Sequence, residues 1–384
     1  MRGFRKLLVF LLIFIQSFML TGCWNYREIN EMAIATALAI DKDPSCGKFK
    51  ISVEIIRAQH GERGGSISSN IYKSSGITIF EAVRDLIPVI GRKVFWSHTK
   101  AVIISKEIAE NNISCVLDWL YRDQELRRTM NILISGGATA EEILTSEPEL
   151  ENVLGYNIDS AIKNRQNTNR FAEIAIGDVA ANFSTEQKSI LIPIAEKDKN
   201  EANRVIIWGS AVLKGEKVVG YLSGEETFNT LWLQGKVKKG TFIIKDFMKP
   251  GSSATMEIFK NSIKTKAEGN GESTKILVQI NTDVSLAEMT ERIPFSKDES
   301  QKKIKATIEK NIEKRLNNTV KKVQEEYKAD IFNFDTKVKI YEPKYYKKVA
   351  NNWGEVFSGL PVEINVDVHI RGSAVASKHI TGGD

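Results

Sequence analysis

A chain of 384 residues, 42% hydrophobic and 27% charged, has the composition of a globular protein and the length of two or three domains. Its formal charge is +6; three of the cations, Arg2, Arg5 and Lys6, precede the first apolar run, so the remainder carries 6 − 3 = +3. So weak a basic balance excludes a dedicated nucleic-acid binder, which gathers its cations on one face.

The apolar run lasts from Leu7 to Leu20 and is interrupted by Gln16 and Ser17. As a helix rising ~1.5 Å per residue it spans roughly 21 Å, short of the ~30 Å hydrocarbon core of a bilayer. A basic start, a short apolar run and an exit through small residues have the form of a secretory signal peptide. The exit, Leu20-Thr21-Gly22-Cys23, looks like a lipobox, in which a small residue precedes a cysteine that is lipidated on sulfur and becomes the new N-terminus. Small residues let the peptidase bring extended backbone close to its active site. The expectation is that residues 1–22 are removed as a lipoprotein signal peptide. Cys23 is then the lipid attachment site, S-diacylglycerated and N-acylated. The alternative is an uncleaved short anchor with Cys23 near its end. No later run reaches the length of a span, so the lipid is the expected membrane attachment.

Beyond Cys23 the pattern is mixed α and β. Met32 to Ile40 and Phe49 to Ile56 predict strands around the turn-rich DKDPSCGK. Residues 59–76 are rich in Gly and Ser and predict a long mobile loop. Thr78 and Glu81 form a capping box for a helix running to about Gly91, weakened by Pro88. Lys100 to Ser105 and Asn131 to Ser135 predict strands, with a helix over 106–121 between them and a second capping box at Thr139 and Glu142. The charged stretch 195–203 reads as a linker, dividing an N-terminal α/β region (23–200, in two subdomains) from a C-terminal α+β domain (204–375). In the latter, Arg204 to Leu213 and Lys217 to Leu222 predict strands, and Ser223 and Glu226 cap a helix. Asn270-Gly271 predicts a hairpin turn before a strand over 275–284. Behind a fourth capping box at Ser296 and Glu299, Ile304, Ile308, Ile312, Leu316, Val320, Val323 and Tyr327 form one apolar stripe along a long helix. Its Lys-rich outer face is a solvated face or a contact for anionic lipid. Val362, Ile364, Val366, Val368 and Ile370 alternate with polar residues, as in a strand with one wet face. The fold class is therefore α+β: a multi-domain mixed α/β chain whose C-terminal domain is an antiparallel sheet packed by long helices.

Catalytic patterns are missing. None of His60, His98, His369 and His379 lies in H-E-x-x-H, and no Cys/His pair has zinc-ligand spacing. His98, beside Trp96, reads as packed or hydrogen-bonded, and His369 as exposed. There is no G-x-S-x-G elbow and no P-loop or dinucleotide fingerprint. No carboxylate spacing selects a catalytic pair. Cys46 and Cys115 could form an exported disulfide, which spacing does not decide; Cys115 also fits a small buried position. The expectation is a protein that is not an enzyme and needs no cofactor or metal.

The pieces also match a family. GCWNYREINEMAIATALAIDKD resembles the mature start of the Ger(x)C family, the C subunits of bacterial spore germinant receptors. The matching positions are Cys23, Trp24, Arg27, Glu28, Ile29, Asn30 and Asp41. The resemblance continues through FWSHTKAVIISKEIAENNISCVLDWLYRDQELRRTMNILISGGATAEEIL and IIWGSAVLKGEKVVGYLSGEETFNTLWLQGKVKKG to the closing VEINVDVHIRGSA. It implies a three-domain mixed α/β fold and a lipoprotein on the outer face of the inner spore membrane. It also implies assembly with A-type and B-type membrane subunits into a receptor for nutrient germinants, with Cys23 the one site residue carried over. The competing reading is a lipid-anchored solute-binding protein that binds the germinant directly.

Overall fold

The computed structural model describes residues 2–19, 31–59, 66–146, 150–183, 189–198, 204–290 and 298–373. Nine strands form one sheet: β1 (Met32–Lys42), β2 (Phe49–Gln59), β3 (Ser66–Gly76), β4 (Lys93–Phe95), β5 (Ala101–Ile104), β6 (Asn131–Ser135), β7 (Ser189–Lys197), β8 (Val205–Lys214) and β9 (Lys217–Leu222). They run in the order β3-β2-β1-β5-β6-β7-β8-β9, with β4 beside the start of β1. The centre, β1-β5-β6-β7, is parallel. Strands covered on both faces read as continuous apolar runs rather than alternations: every residue of β5 and β6 is buried.

Three sequence expectations fail in this half. Residues 66–76, expected to be loop, form edge strand β3, paired with β2 along its whole length. Backbone hydrogen bonding to a fixed neighbour overrides the low strand propensity of Ser and Asn. The helix expected to run unbroken from 79 to Gly91 divides at Asp85 into Ile79–Arg84 and Leu86–Ile90. Pro88 cannot donate to the carbonyl of Arg84, so the ladder breaks there. Gly91, at φ 73°, closes the second piece. The helix expected over 106–121 is likewise two, Lys106–Asn111 and Ser114–Arg122.

The charged segment 199–203 joins the paired strands β7 and β8, with Lys197 opposite Val205. The two strands after it therefore extend the large sheet, and a second sheet begins only at Gly240. That sheet has the order β10 (Gly240–Lys245), β11 (Ser253–Gly269), β12 (Thr274–Met289), β13 (Val362–Ser373). The first three strands are antiparallel, joined at Asn270-Gly271 as expected. β13 departs from the antiparallel pattern and runs parallel to β12, Ile276 facing Val362. The helices between them carry the chain back to its starting end before it re-enters the sheet.

The long helix Asp298–Lys322 covers this sheet. Ile304, Ile308, Ile312, Leu316, Val320 and Val323 are all fully or nearly fully buried against Met256, Ile276, Val278, Ile280, Val366 and Val368. At about 1.5–3 kcal/mol per large buried side chain, that stripe is the main force holding helix to sheet. The helix also protects the edge strand: Glu309 Oε1 accepts from Val368 N at 3.0 Å and Glu313 Oε1 from Val366 N at 3.2 Å. The capping pair expected at Ser296 and Glu299 lies outside the described side chains.

The two sheets share one core. The helix Gly224–Leu233, capped by the expected box at Ser223 and Glu226, is buried at every position from Thr227 to Leu233. It packs Phe228 and Trp232 against Phe242 of the second sheet and lies in one cluster with Leu191, Val212 and Leu222 of the first.

Candidate functional site

The N-terminal helix Arg2–Met19 is apolar along most of its 18 residues, yet the fold does not cover it: Phe4 is 70% and Phe10 78% exposed. Among the described residues no helix is long and apolar enough to cross a membrane. Cys23 and the motif residues from Trp24 to Asn30 lie outside the described residues. Asp41, the last motif position, is buried at the end of β1 and accepts from Ala140 N at 2.7 Å and Glu141 N at 2.9 Å. It thereby caps the short helix Glu141–Leu144. Burial pushes its carboxyl above the usual range, against the pull of those two hydrogen bonds. This motif residue is structural.

A polar cleft of about 610 Å³ opens where the segment 165–178 meets the end of helix Gly224–Leu233, lined by Arg128, Asn131, Arg165, Glu173, Asp178 and Lys236. Arg165 Nη2 donates to Glu173 Oε2 at 2.8 Å, while its Nη1 is buried with no partner among the described residues. Asp178 Oδ2 accepts from Ala175 N at 3.2 Å. Lys236 forms no ion pair among the described residues. Burial lowers its ammonium pKa and the charge of Arg165 lowers it further, with Asp178 and Glu173 opposing. A second cleft of about 290 Å³ shares Glu173, Asp178 and Lys236 and adds Gln234 and Ser189, whose Oε1 and Oγ are buried without partners among the described residues. Lys236 thus stands between two polar clefts, with cations and carboxylates within reach of one small ligand. The arrangement offers charged and hydrogen-bonding groups of both signs to a small polar ligand. Sequence reading missed it because residues over 100 positions apart build it, with no spacing among them.

The remaining candidates separate. His98 is exposed with its ring 5.6 Å from Phe95, and His369 is exposed with Nδ1 3.9 Å from Asp283 Oδ1. His60 and His379 lie outside the described residues. Among the described residues no three His, Cys, Asp or Glu side chains converge as a metal site. Cys46 and Cys115 are both free and exposed. The buried position allowed for Cys115 is not found: its helix turns Val116, Leu117 and Leu120 inward and Cys115 out.

Comparison with known proteins places the chain. The family profile for the spore germination protein N-terminal domain matches residues 25–197. That for the spore germination B3/GerAC-like C-terminal domain matches 208–374. Spore germination protein B3 of Bacillus subtilis (strain 168) is 26% identical over 370 residues, covering 94% of this chain and 96% of its own. Spore germination protein KC of the same organism is 24% identical over 406 residues, covering 98% of each. The crystal structure of the GerBC protein superposes with a TM-score of 0.59 over 87% of this chain and 96% of that one, at 23% identity, a likeness of fold. Matched by the two profiles over 25–197 and 208–374, this chain belongs to the GerAC-like, or Ger(x)C, family of spore germination proteins.

Proposed function

We propose that this spore germination protein is a lipid-anchored, non-enzymatic subunit of a nutrient germinant receptor. Cys23 holds it on the outer face of the inner spore membrane, where it works with A-type and B-type membrane subunits. The observation that carries the reading is the leader: a helix, Arg2–Met19, that the fold leaves exposed and that is not long and apolar enough to cross a bilayer, followed by Leu20-Thr21-Gly22-Cys23. Such a segment suits removal, and a diacylglyceryl cysteine with a further acyl chain replaces it with an attachment that a single chain would not give. Anchoring also raises the effective concentration of the body at its membrane partners. In spores carrying Cys23→Ala, the protein should leave the membrane fraction, and nutrient-triggered loss of optical density should slow markedly. Membrane retention and germination at wild-type levels would sink the reading.

One observation favours a second reading, direct binding of a small solute. The cleft at Lys236 offers an unpaired ammonium and a half-satisfied guanidinium beside two carboxylates, a set suited to a small polar molecule with a carboxylate. Isothermal titration of residues 24–384 with amino acids and sugars tests it. Binding heat that Lys236→Ala weakens at least ~10-fold, the loss expected on removing a charge-assisted hydrogen bond, supports this reading. Absence of heat across the panel refutes it.

A further inference from the structure

We infer that the end of the large sheet nearest the N-terminus is a membrane-contacting face: the rim formed by Ile67, Ile87, Pro88 and Val89 rests on the phospholipid surface. The inference rests on the anchor at Cys23 and adds an orientation to it.

The argument begins with topology. β1 starts at Met32, which pairs with Lys93 at the start of β4. The helix Leu86–Ile90 ends three residues before Lys93, so it lies beside the point where the chain enters the fold. It turns Leu86 inward and leaves Ile87, Pro88 and Val89 exposed together, Val89 by 56%. Edge strand β3 adds Ile67, 49% exposed and opposite Ala58 at the same end of the sheet. Ile77, also exposed, belongs to the opposite end of the sheet, where Gly76 pairs with Phe49, and is not part of this rim. Isolated exposed apolar residues need no explanation, but a run of them on one rim does.

Chain length identifies the occupant. Cys23 and Met32 are 32 − 23 = 9 residues apart, and a chain extends at most ~3.3–3.6 Å per residue. The start of β1 therefore lies within about 30 Å of the acyl chains, closer for any conformation short of full extension. Held at that distance, a rim with a modest apolar area meets lipid at high effective concentration, and a contact too weak to bind membrane alone becomes populated. The charges around it cancel: Arg57, Arg84 and Arg92 are balanced by Glu31, Glu81 and Asp85, and Lys93 is paired with Glu125. Arg84 stacks on Phe80 at 4.8 Å. The contact is thus apolar, and salt does not loosen it.

The test reconstitutes the mature lipoprotein alone into phosphatidylglycerol/phosphatidylethanolamine vesicles that carry a diazirine on one acyl chain. Adducts are mapped by mass spectrometry after irradiation. Expected are adducts at Ile67 and within 86–92, unchanged by raised salt. They should fall about tenfold in the double variant Ile87→Ser, Val89→Ser, which still floats with the vesicles and melts at the wild-type temperature. Adducts confined to other faces, a variant labelled like the wild type, or chain-to-chain crosslinks across this rim overturn the inference while leaving the anchor standing. A lipoprotein preparation that does not float at all removes the anchor, and this face with it.

Discussion

Glu54 offers the sharpest test of how the large sheet holds its helices. It is a buried carboxylate on β2, only 1% exposed, that collects four donors from three places. Thr36 Oγ1 donates from β1 at 2.6 Å and Ser69 Oγ from β3 at 2.7 Å. Leu154 N and Gly155 N, the first two amides of the helix Leu154–Lys163, donate at 2.8 and 2.9 Å. That helix has no capping side chain of its own at Val153, so Glu54 supplies the cap from about 100 residues away. The helix end is pressed so close to β1 that a Cβ at Gly155 would meet the Thr36 carbonyl oxygen at 2.5 Å. In Glu54→Ala both amides lose a charged acceptor in a dry site. At about 1.5–3 kcal/mol for each such bond, with the hydroxyls free to turn elsewhere, the loss is about 4 kcal/mol. Glu54→Gln keeps one acceptor oxygen but turns an amide N–H₂ toward a donor, and should cost about 2 kcal/mol. Urea unfolding of the chain from residue 24, followed by far-UV circular dichroism, measures both. A loss below about 1 kcal/mol in Glu54→Ala would refute the claim that this carboxylate caps the helix.

Two further substitutions probe buried charge in the second half. Asp330 accepts from Phe332 N, Phe334 N, Asp335 N and Trp353 Nε1 at 2.7–3.1 Å. Burial, helped by Asp335, pushes its carboxyl up to about 6 against those hydrogen bonds. A folded pKa above the unfolded ~3.9 means that the folded state holds the proton more tightly. Its stabilisation is therefore complete below about pH 4 and is lost as pH rises through 6, by roughly 3 kcal/mol. Asp330→Asn should flatten that fall, and parallel wild-type and variant stability curves between pH 4 and 7 would refute the assignment. Arg315 stacks on Phe228 and Phe242, and its Nη1 is buried without a partner among the described residues. Burial lowers its pKa to about 10, Arg170 adds to this and Glu225 opposes it. Arg315→Met should be neutral or stabilising by about 1 kcal/mol in a thermal melt, whereas a loss above about 2 kcal/mol would show that the guanidinium has a partner in solution.

Much of this architecture is legible because its signals are local. The apolar runs of β1, β2, β5 and β6, the stripe from Ile304 to Val323, the Asn270-Gly271 turn and the Ser223–Glu226 box each declare themselves within one element. β3 does not, because Ser and Asn become strand only through pairing with β2. The parallel return of β13 is hidden for a similar reason: its alternation gives the buried face but not the direction. The polar hubs and the Lys236 cleft are invisible for want of proximity in sequence; Glu54 meets Gly155, and Arg165 meets Lys236, only after the chain has folded. The proposed lipobox, Leu20-Thr21-Gly22-Cys23, is the opposite case, four adjacent residues read without reference to the fold.

The boundary between the two family profiles, after 197 and before 208, runs through the β7–β8 hairpin rather than between two cores. Beyond it the halves are locked by more than the shared helix Gly224–Leu233. The Tyr327 hydroxyl, at the turn that ends the long helix, donates to the Tyr221 carbonyl of β9 at 2.9 Å, and its ring fills the place a side chain at Gly220 would take. One turn earlier Lys322 pairs with Glu226 at 2.8 Å. These contacts bind the far end of the large sheet to the second sheet through a desolvated seam, where hinge motion would expose apolar surface from both sides. A body so joined moves as one piece. With its start tethered at Cys23, as proposed, the tilt of the large sheet on the bilayer would set the orientation of β10–β13 as well. A partner that grips either half would then reorient the other without any rearrangement inside the chain.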